Sequence, residues 1–210
     1  MRALLAGAAA LALLQGTGQQ TAPPPMDPRT KGRADAPVTV YEMADFQCPA
    51  CRLFALETMP TLDREYVRTG KVRWVFINYP LTSIHPNAVA AAEVAMCAAR
   101  QGKFWEMHDV LFQRQPVWQN QAEPEPYLVA LSDTAGVDRR PLLQCLTAQA
   151  TRGEVESDAQ RAYRAGARST PSFYIEGGLL RGAAPLAVFR QVLDSVYRVK
   201  TGGAPGGRPR

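Results

Sequence analysis

Between residues 38 and 78 the apolar residues change period twice, and that double change restricts the fold more than any other feature of the chain. "PVTVYEMAD" alternates and is β-branched at its start, which predicts a strand from Val38 to Ala44. From Pro49 to Thr69 the apolar positions Leu53, Phe54, Leu56, Met59, Leu62, Tyr66 and Val67 keep a helical spacing that Gly70 closes, with a kink expected at Pro60. "KVRWVFINYP" is then a second strand, again bounded by proline. A strand, a helix and a strand in that order make a right-handed parallel crossover unit.

Beyond Pro80 the pattern is mostly helical. His85-Pro86 opens an alanine-rich helix to Arg100, and "KFWEMHDVLF" supplies another with Phe104, Met107, His108 and Leu111 on one side. "QRQPVWQNQAEPEP" reads as a loop. Shorter helices are expected from Tyr127 to Thr134 and, capped by Asp138, from Arg139 to Ala148. A polar helix runs from Arg152 to Ala165 and stops at Gly166. "TPSFYIEGGLLRG" predicts a hairpin around Gly177-Gly178, and a last helix spans Pro185 to Arg198. The β-α-β unit and the distant β-β-α unit join into one mixed sheet with helices on both faces, an α/β fold. No internal repeat and no nucleotide-binding glycine pattern accompanies it.

With 210 residues, 46% of them hydrophobic and 20% charged, the chain suits one globular domain plus tails. The net charge of +5 is spread along the sequence, and no basic run interleaved with aromatics points to nucleic acid. "MRALLAGAAALALLQGTGQQ" has the pattern of a signal peptide, expected over residues 1–22. Its apolar run, Ala3 to Leu14, is shorter than the roughly 20 residues of a membrane-spanning helix. Residues 23–36 read as a proline-rich linker, 37–198 as the domain and 199–210 as a disordered tail.

Export brings the four cysteines into an oxidising compartment, where disulfides persist. Cys48 and Cys51, in "DFQCPAC", suit a redox couple, half a metal site or a structural staple. A structural zinc site takes four ligands, yet no second C-x-x-C or close histidine pair is present, and Cys97, Cys145, His85 and His108 stand apart. Cys48 falls at the junction of strand and helix, with Pro49 at the first helical position. Unpaired amides and the helix dipole there favour a thiolate, while Cys51, one turn further on, is more shielded. That asymmetry is what disulfide exchange requires.

Taken together, "DFQCPAC", "RWVFINYPL", "HPNAVAAAEVAMCAARQGKFWEMHDVLF" and "GARSTPSFYIEG" resemble the DsbA-like thioredoxin-fold thiol-disulfide oxidoreductases over about residues 37 to 198. The resemblance implies a thioredoxin fold with a helical insertion at about residues 84–150, Cys48 as nucleophile and Cys51 as resolving thiol. It also implies a cis bond at Thr170-Pro171, beside the cysteines, with Thr170 orienting a bound peptide. Glu42, six positions before Cys48, matches an acidic residue that assists proton transfer; an exposed strand residue is its other reading. Asp45 reads as a strand-end residue. The dipeptide Pro49-Ala50 departs from the strong oxidants of the family, since it has no histidine beside the nucleophile, which puts the strength of the oxidant in question.

If Cys48 and Cys51 form the active couple, Cys97 and Cys145 are left as a structural disulfide or as two buried thiols. His85 reads as a cap or loop residue, His108 as a partly buried core histidine, and Trp74, Trp105 and Trp118 mainly as packing. The function implied is that of an exported, periplasmic, monomeric dithiol oxidase without metal, flavin or nicotinamide. A substrate thiolate attacks Cys48, Cys51 leaves last, and a membrane partner reoxidises the couple. The alternatives are a reductase or isomerase, for the latter of which the segment before the first strand is too short to hold a dimerisation domain, and a non-catalytic peptide-binding or assembly module.

Overall fold

A computed structural model describes residues 26–202, so the expected signal peptide and most of the tail lie outside the described residues. Five strands, β1 (Thr30–Lys31), β2 (Val38–Ala44), β3 (Val72–Asn78), β4 (Ser172–Ile175) and β5 (Gly178–Arg181), form one sheet in the order β1-β3-β2-β4-β5. β2 and β3 run parallel, with Val38 opposite Val72 and Ala44 opposite Asn78; every other pairing is antiparallel. The parallel pair is the crossover unit that the sequence periods require. The hairpin turns one residue earlier than its glycine pair suggested: Glu176 and Gly177 both have positive φ, 43° and 93°, as a tight two-residue turn demands.

Between β2 and β3 the chain passes through α1 (Pro49–Leu53) and α2 (Met59–Leu62), separated and followed by π-helical turns at Phe54–Thr58 and Asp63–Val67. Pro60 has no N–H for the carbonyl one turn back. The helix widens instead of kinking sharply, with the Met59 amide donating to Phe54 and the Arg68 amide to Asp63. Phe54, on the first wide turn, lies 5.9 Å from Trp74 and 4.6 Å from Phe173 by ring centroids. It also lies 5.3 Å from Phe189 of the last helix, α8 (Leu186–Lys200). Burying one such ring is worth about 1.5–3 kcal/mol, so this cluster fixes α8 and the wide-turned helix against one face of the sheet.

The helical block comprises α3 (Ala88–Ala99), α4 (Phe104–Trp118), α5 (Glu125–Thr134) and α6 (Arg139–Thr147), followed by α7 (Arg152–Arg164). The Asp138 side chain caps α6 by accepting from the Arg140 amide at 2.9 Å. Cys97 on α3 and Cys145 on α6 are joined in a disulfide, a link of the kind worth about 2–4 kcal/mol. α4 runs through Pro116 into residues whose composition suggests a loop. The proline leaves the Phe112 carbonyl without its helical donor, and Arg52 Nε of α1 donates to that carbonyl at 3.1 Å. A vacancy in one helix thereby becomes a bond to the other.

Residues 27–31 correct the linker assigned to 23–36. Thr30 and Lys31 pair with Val75 and Trp74, and Arg29 is buried. Arg29 forms an ion pair with Asp158, a fully buried carboxylate on α7. Asp158 also accepts from the Asn78 amide at 3.2 Å, from Asn78 Nδ2 at 3.0 Å and from Arg161 at 2.5 Å. Composition could not show this, because the partner of Arg29 lies 129 residues away. Removing one member of a buried pair strands the other charge. Asp158→Ala should therefore lower the unfolding free energy by ~3–5 kcal/mol, read as a lower urea midpoint.

Candidate active site

β2 ends at Ala44, and the next side chain, Asp45, turns the chain. One Asp45 carboxylate oxygen accepts from the Gln47 amide at 2.8 Å, the local turn expected of aspartate. The other accepts from the Leu81 amide at 2.8 Å and meets His85 Nδ1 at 2.7 Å. The Asp45 carbonyl accepts from the Cys48 amide at 3.1 Å. His85 is a loop residue whose partner is this carboxylate. The outcome is Cys48 in extended conformation, φ −72° and ψ 123°, at the cap position of α1, with Pro49 in the first turn.

Both sulfurs of the C-x-x-C are free thiols, and they differ in access. Cys48 keeps 7% of its surface exposed and Cys51 keeps none. Cys48 Sγ lies 3.4 Å from the carbonyl oxygen of Thr170, whose bond to Pro171 is cis. Two segments 122 residues apart in sequence meet there. The carbonyl can accept only from the protonated sulfur. The thiolate has other donors: the Cys51 thiol above all, then, against the opposing effect of burial, the amides of Cys51 and Ala50. They draw the Cys48 pKa down from an ordinary 9.0 to about 6. Burial drives Cys51 the other way, well above 9.0, and the negative charges of Cys48 and Glu42 add to it.

Glu42 is 1% exposed, and the register sets it between Phe76 on β3 and Phe173 on β4. Its Oε2 accepts from Trp74 Nε1 at 2.7 Å, while Oε1 has no partner. Desolvation raises its pKa from 4.5 to about 7 although the Trp74 bond and the Lys31 charge pull it down. The reading of Glu42 as an exposed strand residue is therefore set aside. His108 is fully interior, with Nδ1 2.8 Å from Asp109, and burial lowers its pKa. Trp74 and Trp118 are buried, while Trp105 is partly buried with Lys31 Nζ 4.3 Å above its ring.

Three buried amides near the cysteines escaped the sequence reading: Gln47, Asn87 and Gln115. Gln47 joins α3 to the end of α4, since its Oε1 accepts from the Asn87 amide at 2.7 Å and its Nε2 donates to the Gln119 carbonyl at 2.6 Å. Asn87 Nδ2 lies within 3.3 Å of the Trp118, Gln119 and Gln121 carbonyls. A signal for Gln115 was available. It continues the buried stripe of Phe104, Met107, Leu111 and Trp118, where a polar residue needs a reason.

A family model described as "Thioredoxin" matches residues 26–195. The probable disulfide bond formation protein D of Bacillus cereus is 32% identical over 150 residues, covering 70% of this chain and 69% of that protein. An Na(+)/H(+) antiporter NhaA 3 from Salinispora tropica is 32% identical over 187 residues, 88% of this chain. The chain spans only 27% of the length of that antiporter. Among solved structures, oxidised BdbD from Bacillus subtilis superposes with a TM-score of 0.73 at 24% identity, over 81% of this chain and 92% of that one. Wolbachia pipientis alpha-DsbA1 gives 0.73 at 21% identity, over 83% and 92%.

The opposed thiol pKa values make a pH signature. Reduced protein should gain stability relative to oxidised protein as pH rises from about 6 to 9.0, because over that window the unfolded Cys48 still holds its proton and the folded one does not. Above 9.0 the gain should reverse, since the folded Cys51 then keeps a proton that the unfolded chain loses. Glu42 has the opposite sign from 4.5 to about 7 but is present in both redox states, so it cancels in the difference. Urea unfolding of the two forms across this range measures it.

Proposed function

The chain belongs to the DsbA-like, thioredoxin-fold family of thiol-disulfide oxidoreductases, and on that premise we propose that it is an exported dithiol oxidase. It passes a Cys48–Cys51 disulfide to cysteines of other exported proteins. The observation that carries this reading is the asymmetry of the sulfurs: Cys48 partly accessible, beside Thr170 and with a pKa of about 6, Cys51 sealed and held protonated. A stabilised Cys48 thiolate favours the dithiol state of the enzyme, which makes its disulfide a donor.

In the oxidised form a substrate thiolate attacks Cys48 Sγ, the Cys48–Cys51 bond breaks, and its electron pair goes to Cys51. Electron balance thus makes Cys51 the first leaving group, not the last as the sequence reading had it. In its apolar site Cys51 needs a proton, and Glu42, with a pKa of about 7, is a carboxyl acid able to give one. The second substrate thiolate then attacks the substrate sulfur of the mixed disulfide. Cys48 departs as a thiolate, favoured by its low pKa. The substrate leaves oxidised and the enzyme reduced, with Thr170 and Pro171 flanking the reacting sulfurs as the backbone against which a peptide is oriented. A membrane-bound oxidant restores the disulfide, the protein acts as a monomer in the periplasm, and residues 1–22 direct it there.

The Pro49-Ala50 dipeptide sets the strength of the couple. Thioredoxin combines a pKa near 7 with about −270 mV, and DsbA a pKa near 3.5 with about −120 mV. A pKa of about 6 places this couple between them. Equilibration with glutathione should give roughly −250 to −200 mV, whereas a value at or below about −270 mV would turn the reading to a reductase. Cys48→Ser should abolish exchange with a dithiol peptide; retained exchange would remove Cys48 from the mechanism. Glu42→Gln should slow release of Cys51 by ~100-fold, the low end of a general-acid contribution, and erase the pH dependence near 7 from single-turnover oxidation.

A further inference from the structure

Gln115 is 1% exposed on the face of α4 that packs beneath the cysteine loop. Its amide nitrogen has two hydrogens and two acceptors, the Phe46 carbonyl at 2.7 Å and the Cys48 carbonyl at 3.0 Å. The Cys48 carbonyl also accepts from the Arg52 amide at 3.1 Å. The peptide group that carries it continues into Pro49, so it has no N–H of its own to offset its negative end. Gln47 and Asn87 tie the same loop to α3 and α4, but their side-chain bonds do not reach the Cys48 backbone.

We propose that Gln115 is a positioning residue for Cys48: its amide holds the two carbonyls that bracket the nucleophile and screens the sulfur from its own carbonyl oxygen. The physical basis is local. A thiolate is repelled by the oxygen of its own residue, and donors on that oxygen weaken the repulsion. They also keep the Cys48 backbone extended, so that the sulfur faces the amides of Ala50 and Cys51. The helical insertion therefore takes part in the reactivity of the pair, through one side chain.

This inference rests on the reading of Cys48 as nucleophile, and the test separates the two. Cys48 in the reduced full-length protein is titrated by thiolate absorbance and by its alkylation rate with iodoacetamide. In Gln115→Met the titration midpoint should rise, and alkylation near pH 6 should slow by roughly 2- to 10-fold for each hydrogen bond lost. Gln115→Glu keeps the shape and loses both donors once ionised, so it should slow alkylation at least as much; it serves where the methionine variant does not fold. Leu142→Ala, a core truncation in α6, should lower stability and leave the titration unchanged. An ordinary thiol at Cys48 in the unaltered protein would defeat the nucleophile assignment. A Cys48 that titrates low in the unaltered protein, equally low in both Gln115 variants, or raised as much by Leu142→Ala, would overturn the role of Gln115 alone.

Discussion

Three hydrogen bonds to the Asp45 carboxylate decide where the Cys48 sulfur sits. They come from the Gln47 amide, the Leu81 amide and His85, so the end of β2, the loop after β3 and the start of the cysteine turn meet on one side chain. Once that turn is set, Cys48 falls at the cap of α1 and Cys51 falls inside, and the two sulfurs meet opposite environments within four residues. Glu42, three residues before Asp45, shows what donors change. Asp45 is saturated and serves as an anchor, while Glu42 has one donor, Trp74, and an orphan oxygen among aromatic rings. The second arrangement raises a carboxyl into the range where it moves protons.

The helical block is part of the site as well as a cover for it. α4 supplies Gln115 to the cysteine loop and, because Pro116 leaves a carbonyl free, accepts Arg52 from the helix of the cysteines. α3 and α4 are held to the same loop through Gln47 and Asn87. On the far side of the sheet, Asp158 of α7 gathers Arg29, Asn78 and Arg161, and so pins the first described strand to β3. Buried polar groups of this kind are stabilising only when all their partners are in place, which makes the site and the fold interdependent.

Several features were legible early because their causes are local. Alternation places β2 at Val38–Ala44, and the Asp138 cap fixes the start of α6 at Arg139. The cap position of Cys48 follows from a strand ending and a proline beginning a helix. Other features depend on groups distant in sequence, and local pattern misjudged them. Residues 30–31 look like linker because their composition is polar, and they become a strand because β3 offers a free edge. The stretch around Pro116 looks like a loop because proline breaks helices, and it stays helical because Arg52 takes the orphan carbonyl.

By itself the sequence determined the order of strands and helices from β2 onward, a mixed sheet with helices on both faces, and which two cysteines lie at a helix start, since period, caps and spacing act over a few residues; the thioredoxin arrangement came from the family resemblance. The helix start already indicated that Cys48 and Cys51 differ; only the tertiary structure supplied the groups that make them differ and how far. The Thr170 backbone beside Cys48, the burial of Cys51 and the position of Glu42 between Phe76 and Phe173 each bring together residues far apart in the chain. A pKa depends on the donors, charges and water within a few ångströms of an atom, and those neighbours exist only once the chain has folded.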